Sequence, residues 1–226
     1  MVPSGPRPRA ASAPRRPPTH RVERALRREG YARVAGVDEA GRGPLAGPVV
    51  AAAVVLPERR ARWLLDLRDS KLLPPGRRAR LASLLRRSCE CGVGAVSAQV
   101  IDQIGIGPAT RLAMRRAVLA LPREPDALIV DGRERLEHSA RQRPLVGADA
   151  RCRSVAAASI VAKVTRDRIM VELDACFPGY GFARHAGYAT AEHRERLSLL
   201  GYSTAHRLSF EPVRRALDRR SGRGGG

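Results

Sequence analysis

Two apolar runs, Val34 to Asp38 and Val49 to Leu56, flank a turn rich in glycine and proline. Their β-branched and small residues suit a pleated surface buried on both faces, so they read as a buried hairpin. Ala127 to Val130 is wholly apolar and stops at Asp131-Gly132, Gly92 to Ser97 offers another strand, and Pro144 to Gly147 a fifth. Helix signals lie between and after them. Pro75 to about Cys89 sets apolar residues 81, 84 and 85 among arginines, an amphipathic pattern. Gly107-Pro108 opens a helix to about Ala120 with proline in its first turn. Ser154 reads as the N-cap of a long helix reaching about Cys176, and two more helices finish the chain. Early strands and late helices predict an α/β sheet with a helical C-terminal lobe, and 226 residues suffice for one domain with a full core.

Acids sit where these apolar runs end. Asp38-Glu39 closes the first strand, Asp131 closes another, and Asp149 ends a third candidate. Neighbouring side chains on a regular strand point to opposite faces. Both Asp38 and Glu39 can therefore reach one point only if the strand breaks at Glu39, and Ala40-Gly41-Arg42-Gly43 is a sequence that allows a break. Converging carboxylates repel one another and raise each other's pKa. Hard divalent cations relieve that repulsion, and Mg²⁺ or Mn²⁺ suits an all-oxygen site. Two such ions about 3.5–4 Å apart can activate a water and stabilise the leaving oxygen of an in-line displacement. The segment Gly41 to Gly47 lacks the Lys-Ser/Thr ending of a P-loop. Its glycines instead let backbone approach a sugar closely, where a 2′-hydroxyl can be sensed, with Arg42 in reach of phosphate.

The charge says what is brought to those acids. With 42 basic against 22 acidic residues the chain carries +20, which makes a polyanion, nucleic acid foremost, the default partner. Half of that charge sits in two segments expected to be tails. Residues 1–30 hold eight Arg and two Glu without an apolar period, and residues 214–226 hold five Arg and one Asp and end in three glycines. All but two of the 42 are arginine, leaving Lys71 and Lys163. Cysteines 89, 91, 152 and 176 show neither zinc-finger spacing nor a disulfide framework, which fits reduced thiols in a cytosol. No apolar run reaches membrane-spanning length, no signal-peptide core precedes residue 30, and the prolines there oppose a transit-peptide helix.

Gly36-Val-Asp-Glu-Ala-Gly-Arg-Gly-Pro-Leu-Ala-Gly-Pro-Val-Val50 resembles the opening signature of bacterial ribonuclease HII. The likeness continues through Asp69-Ser70-Lys71, Ile129-Val-Asp-Gly132, Ser154 to Asp167, Pro178 to Phe182, His185-Ala-Gly-Tyr188, Glu192-His193 and His206-Arg207, over about residues 31–213. It implies an RNase H-like fold: a mixed five-stranded sheet with flanking helices and a helical C-terminal extension. The expected organisation is a basic disordered tail over 1–30, a catalytic domain over 31–190, its helical extension over 191–213 and a Gly-rich tail over 214–226. The implied activity is hydrolysis of the phosphodiester on the 5′ side of a ribonucleotide, leaving 3′-hydroxyl and 5′-phosphate ends. Implied substrates are RNA/DNA hybrids and single ribonucleotides embedded in duplex DNA, whose removal serves replication and repair. A cytoplasmic monomer with no obligate protein partner is expected.

The resemblance also assigns residues. Asp38, Glu39 and Asp131 match the family's metal ligands and Asp149 the fourth carboxylate, for Mn²⁺ or Mg²⁺ with two ions engaged during catalysis. Gly41, Arg42 and Gly43 match the loop that reads the ribose 2′-hydroxyl, and Tyr188 matches the tyrosine that stacks on the sugar at the RNA–DNA junction. Lys71 falls in a family motif as a phosphate contact, since a compact ammonium meets phosphate as a point charge. Lys163 stands four residues before Asp167 on the long helix, an ion-pair spacing that supports the site from behind. His185, like His193, is expected in a structural or phosphate-binding role, and most aromatics after residue 176 in the core of the C-terminal lobe. The chain departs from the family pattern at Gly147-Ala148, Leu72, Arg151-Cys152 and Leu208, which changes phosphate contacts rather than carboxylates. Other classes compatible with the charge are a non-catalytic RNA-binding protein and another nuclease of this fold, a resolvase or ribonuclease HIII.

Overall fold

Valine and alanine line the centre of the sheet because helices press on both of its faces. The computed structural model describes residues 17–57, 62–67, 70 and 73–221. Strands β1 (Val34–Ala40), β2 (Val49–Val55), β3 (Glu90–Val96), β4 (Ala127–Asp131) and β5 (Arg141–Leu145) form a five-stranded sheet among these residues, in the order β3-β2-β1-β4-β5. β2 runs antiparallel to β1 and β3, whereas β1, β4 and β5 are parallel. On one face lie α3 (Ala98–Ile104) and α4 (Ile106–Leu119), whose Ala109, Ala113 and Ala117 pack on Val37, Ala51 and Ala53. On the other lie α2 (Pro75–Ser88) and the long α5 (Arg153–Cys176), with Ala156 to Ala158 against Ala52 and Val54. The contact is tight: a Cβ on Gly36 would stand 2.2 Å from the Ser154 carbonyl carbon, so only glycine lets α5 cross β1 there. Beyond α5 come α6 (Phe182–His185), α7 (Ala191–Leu200) and α8 (Glu211–Ser221), the helical extension.

Several expectations need correction. The segment 1–30 was expected to be a coreless tail; its residues 1–16 lie outside the described ones, but α1 (Arg21–Arg28) buries Leu26 against Val34, Ala127, Ile129 and Val155. Glu23 on α1, 2% exposed, accepts both the amide and the hydroxyl of Ser154 at 2.9 Å. It thereby satisfies a first-turn donor of α5 from a separate helix. Ser154 is accordingly inside α5 rather than its cap, which is Cys152. Charge had masked this helix: its apolar residues are few and its arginines many. At the other end, α8 carries helix to Ser221, into the stretch expected to be a tail. β5 begins at Arg141, earlier than Pro144, because it is an edge strand whose polar residues hide its signal, and Pro144 is tolerable at an edge. α3 adds a helix beyond those the sequence signals; Ser97 caps it and Gly105, at φ +81°, separates it from α4.

Candidate active site

The pairing of β1 with β4 stops at Val37–Val130, leaving the ends of both strands open side by side. Into that opening project Asp38, Glu39 and Asp131, each offering a carboxylate oxygen within 4.8 Å of the others. The strand does not break at Glu39, contrary to expectation: β1 continues to Ala40 in register with β2. Because β4 ends at Asp131, one residue past its last pair with β1, the side chains of both acids can meet Asp131 around the open edge. The Glu39 amide donates to Asp38 Oδ1 at 2.7 Å, which fixes the first carboxylate against the second residue's backbone.

Burial sets the electrostatics. Asp38 is 5% exposed, and desolvation, then the charges of Glu39 and Asp131, hold its carboxyl well above the usual range. Ser159 on α5 opposes this with a hydrogen bond to Asp38. Glu39 is also raised, again by burial first, although Arg42 pulls it back through an ion pair at 3.6 Å. Glu39 Oε2 is buried and lacks a hydrogen-bond partner. Three crowded carboxylates with an orphaned oxygen fit a hard divalent cation, because only a multivalent positive charge offsets both desolvation and mutual repulsion.

Asp149 is not among the three that converge. It sits on a short 3₁₀ turn, Ala148–Ala150, and accepts the Ala150 amide at 2.8 Å. The same turn is tied to the cluster, since the Ala148 amide donates to Asp131 Oδ1 at 2.7 Å. The fourth acid therefore stands one residue from a direct contact with the third.

The loop after β1 is held from beneath by two buried arginines. Arg166 on α5 donates from Nε, Nη1 and Nη2 to the carbonyls of Pro48, Ala186 and Ala46 at 3.0–3.1 Å. Arg207 donates to the carbonyls of Gly41, Arg42 and Gly47 at 2.6–3.0 Å. Burial, then Arg166, push Arg207 down to about 9, still protonated at neutral pH. Gly41 lies at φ +96°, and a Cβ there would stand 2.0 Å from Arg166 Nε. Its role is thus inward, whereas Arg42 and Gly43 are exposed, and a Cβ on Gly43 would meet nothing within 4 Å. Arg166 eluded sequence reasoning, although the signal was present: Ser159, Arg166 and Met170 fall on one buried stripe of α5, and an arginine there needs a reason.

The remaining candidates separate cleanly. Lys163 Nζ pairs with Asp167 at 2.6 Å, and Asp167 also pairs with Arg78 of α2 at 3.2 Å. Lys71 lies outside the described residues. Tyr188 is 45% exposed beside the loop, its ring centroid 6.0 Å from the Arg166 guanidinium. His185 is buried and spends both ring nitrogens on backbone, Nε2 on the Tyr180 carbonyl and Nδ1 on the Gly187 amide. Tyr180 and Phe182 are buried and stacked at 5.3 Å in the C-terminal lobe.

The arrangement can gather cations at a strand end and present an exposed glycine, arginine and tyrosine beside them. The chain is similar to known proteins over most of their length. A family profile for ribonuclease HII matches residues 35–213. The chain is 53% identical to ribonuclease HII of Moorella thermoacetica over 190 residues, 84% of this chain and 91% of that one. It is also 53% identical over 200 residues to ribonuclease HII of Chloroflexus aurantiacus, covering 87% and 94%. The crystal structure of ribonuclease H2 from Pyrococcus horikoshii OT3 superposes with a TM-score of 0.73 at 30% identity, over 83% of this chain and 98% of that one. The chain belongs to the ribonuclease HII family.

Proposed function

We propose that this ribonuclease H cuts the phosphodiester on the 5′ side of a ribonucleotide, in RNA/DNA hybrids and at single ribonucleotides in duplex DNA, and so starts their removal in replication and repair. Asp38, Glu39 and Asp131, with Asp149 at their border, would hold Mg²⁺ or Mn²⁺. Bound cations would supply Lewis-acid polarisation of the phosphate and a more acidic water. The chain's own part is positional. Asp38 is held by the Glu39 amide and by Ser159, Glu39 is paired with Arg42, and Asp131 is held by the Ala148 amide, so charge is concentrated before substrate arrives. Arg42 and Gly43 face outward to meet phosphate and ribose, while Gly41 turns the chain over Arg166. Tyr188 offers an exposed ring for the sugar at the RNA–DNA junction. Lys163 and Arg78, both on Asp167, brace α5 behind the site, and Lys71 would contact phosphate. On this reading the enzyme works as a cytoplasmic monomer.

The observation that carries the reading is the convergence of three carboxylates beside an arginine-braced glycine loop in a chain of +20. A duplex DNA with one ribonucleotide, incubated with and without Mg²⁺ or Mn²⁺, tests it. Cation-dependent nicking on the 5′ side of the ribonucleotide is expected. Binding without any cut under either cation would overturn it.

A further inference from the structure

Three buried histidines adjoin Tyr188 without touching the carboxylate cluster, and their hydrogen bonds admit one proton arrangement. The Ser203 amide donates to His206 Nδ1 at 3.0 Å, so that nitrogen is an acceptor and the neutral ring carries its proton on Nε2. His206 Nε2 lies 3.1 Å from His193 Nε2, which must then accept. His193 consequently carries its proton on Nδ1 and donates it to the Tyr188 carbonyl at 2.9 Å. His185 stacks on His193 at 4.4 Å and is fixed in the opposite sense by the Gly187 amide and the Tyr180 carbonyl.

We infer that His206 and His193 are positioning residues for Tyr188, a one-way chain of neutral imidazoles that fixes its carbonyl and thereby the place of its ring. The backbone around Tyr188 needs such a hold. Ala186 sits at φ +49°, a conformation costly for a residue with a side chain, and Gly187 follows at φ +76°. The Tyr188 amide donates to the His185 carbonyl, and the Gly187 carbonyl accepts from the Leu45 amide at 2.8 Å. Tyr188 is thus registered both to the histidine stack and to the glycine loop. Charge reinforces neutrality: burial first, then His193, hold His206 down to about 4, and burial also lowers His193. The titratable groups facing the pair are His185 and Glu192, the latter engaged with Arg184, and the Tyr180 and Phe182 rings close the remaining sides.

The inference rests on reading Tyr188 as the residue that stacks at the junction, so the test separates the two. The full-length protein with Mn²⁺ is assayed on duplex DNA carrying one ribonucleotide and on a continuous RNA/DNA hybrid. His193→Asn keeps a donor near Nδ1 for the Tyr188 carbonyl; His193→Leu removes it. Losing one buried hydrogen bond should lower kcat/KM on the single ribonucleotide about tenfold for His193→Leu, with a smaller effect on the hybrid. His193→Asn should retain most of the wild-type rate. Long-range ¹⁵N–¹H spectra of the wild type should show His206 protonated on Nε2 and His193 on Nδ1, whatever the variants' fate in folding. The opposite tautomers, or equal losses for both variants, would overturn the relay. If Tyr188→Ala spares the single ribonucleotide, the stacking role of Tyr188 fails and the inference falls with it. If Tyr188→Ala loses activity there and His193→Leu does not, the relay alone is wrong.

Discussion

Arg207 Nη2 donates to the carbonyl oxygen of Gly41 at 2.6 Å, joining residues 166 positions apart. The same guanidinium serves Arg42 and Gly47, and residues 45–47 pair in turn with Ala205 and Arg207 through backbone. The C-terminal extension is therefore a clamp on the loop beside the carboxylates. Arg207→Lys keeps the charge but replaces a planar fork with a single donor centre. It should leave buried carbonyls unsatisfied and cost about 2–4 kcal/mol. Thermal unfolding measures that loss, and cleavage should fall further than stability if the loop moves. An unchanged melting temperature would mean the clamp is dispensable.

How much of this was readable in the chain follows from what each residue advertises. Apolar runs ending in Asp38 and Asp131 announced both the central strands and the acids, because burial and charge are properties of single residues in a short window. Position relative to distant segments is not. Glu23 looks like an ordinary helix acid, yet it accepts from the first turn of α5 at Ser154, 131 residues away. Arg166 and Arg207 look like two more arginines in an arginine-rich chain, and only the fold shows that their partners are loop carbonyls. Compositional bias removed the contrast by which such residues would stand out. β5 was misplaced for a related reason: an edge strand need not be apolar, so Arg141 to Arg143 carried no strand signal.

The carboxylate cluster should make the cation-free enzyme less stable than it could be. Asp38 and Glu39 are raised, so the folded protein binds protons more tightly than the unfolded chain, and ionising them costs stability as pH rises above the ordinary carboxylate range. Asp38→Asn should therefore abolish cleavage yet raise the melting temperature of cation-free protein at pH 8 by about 2–4 °C, the equivalent of ~1 kcal/mol. Added Mn²⁺ at a hundredfold over its Kd should stabilise the wild type by about 2.7 kcal/mol. Scanning calorimetry of both proteins with and without cation checks this. A melting temperature lowered by Asp38→Asn, or a wild type indifferent to cation, would contradict the account.

Helix α1 makes deletion of the first segment an unsuitable probe of its charge, because Leu26 and Glu23 belong to the core. Its outer face is separable. Arg21, Arg24, Arg27, Arg28 and Arg153, with His20, border a cleft of about 920 Å³ that carries no acid among its described lining residues. If phosphates reach this surface, Arg24→Glu with Arg28→Glu should flatten the dependence of log K on log salt by about 2, roughly one counterion per arginine. Titration of a fluorescent duplex from low to moderate salt reads the slope. An unchanged slope would leave these arginines as a solvated face.

Acid should unfold the enzyme through its neutral histidines. His206 is held down to about 4 by burial, then by His193; His20 falls to about 4 by burial, then by Arg153. Between about pH 6.5 and pH 4 the unfolded chain takes up protons at these rings and the folded protein does not, so stability falls as pH falls. Above pH 6.5 neither ring is charged in either state and the effect vanishes. For His206, 2% exposed, the full span is at most about 3 kcal/mol. His206→Gln keeps a donor toward His193 but cannot titrate. Cation-free His206→Gln should therefore lose less melting temperature than the wild type between pH 7 and pH 5, even if it starts lower. Parallel curves for the two proteins would show that His206 takes up its proton as readily in the folded protein as in the unfolded chain, so that burial does not hold the ring neutral below pH 6.5.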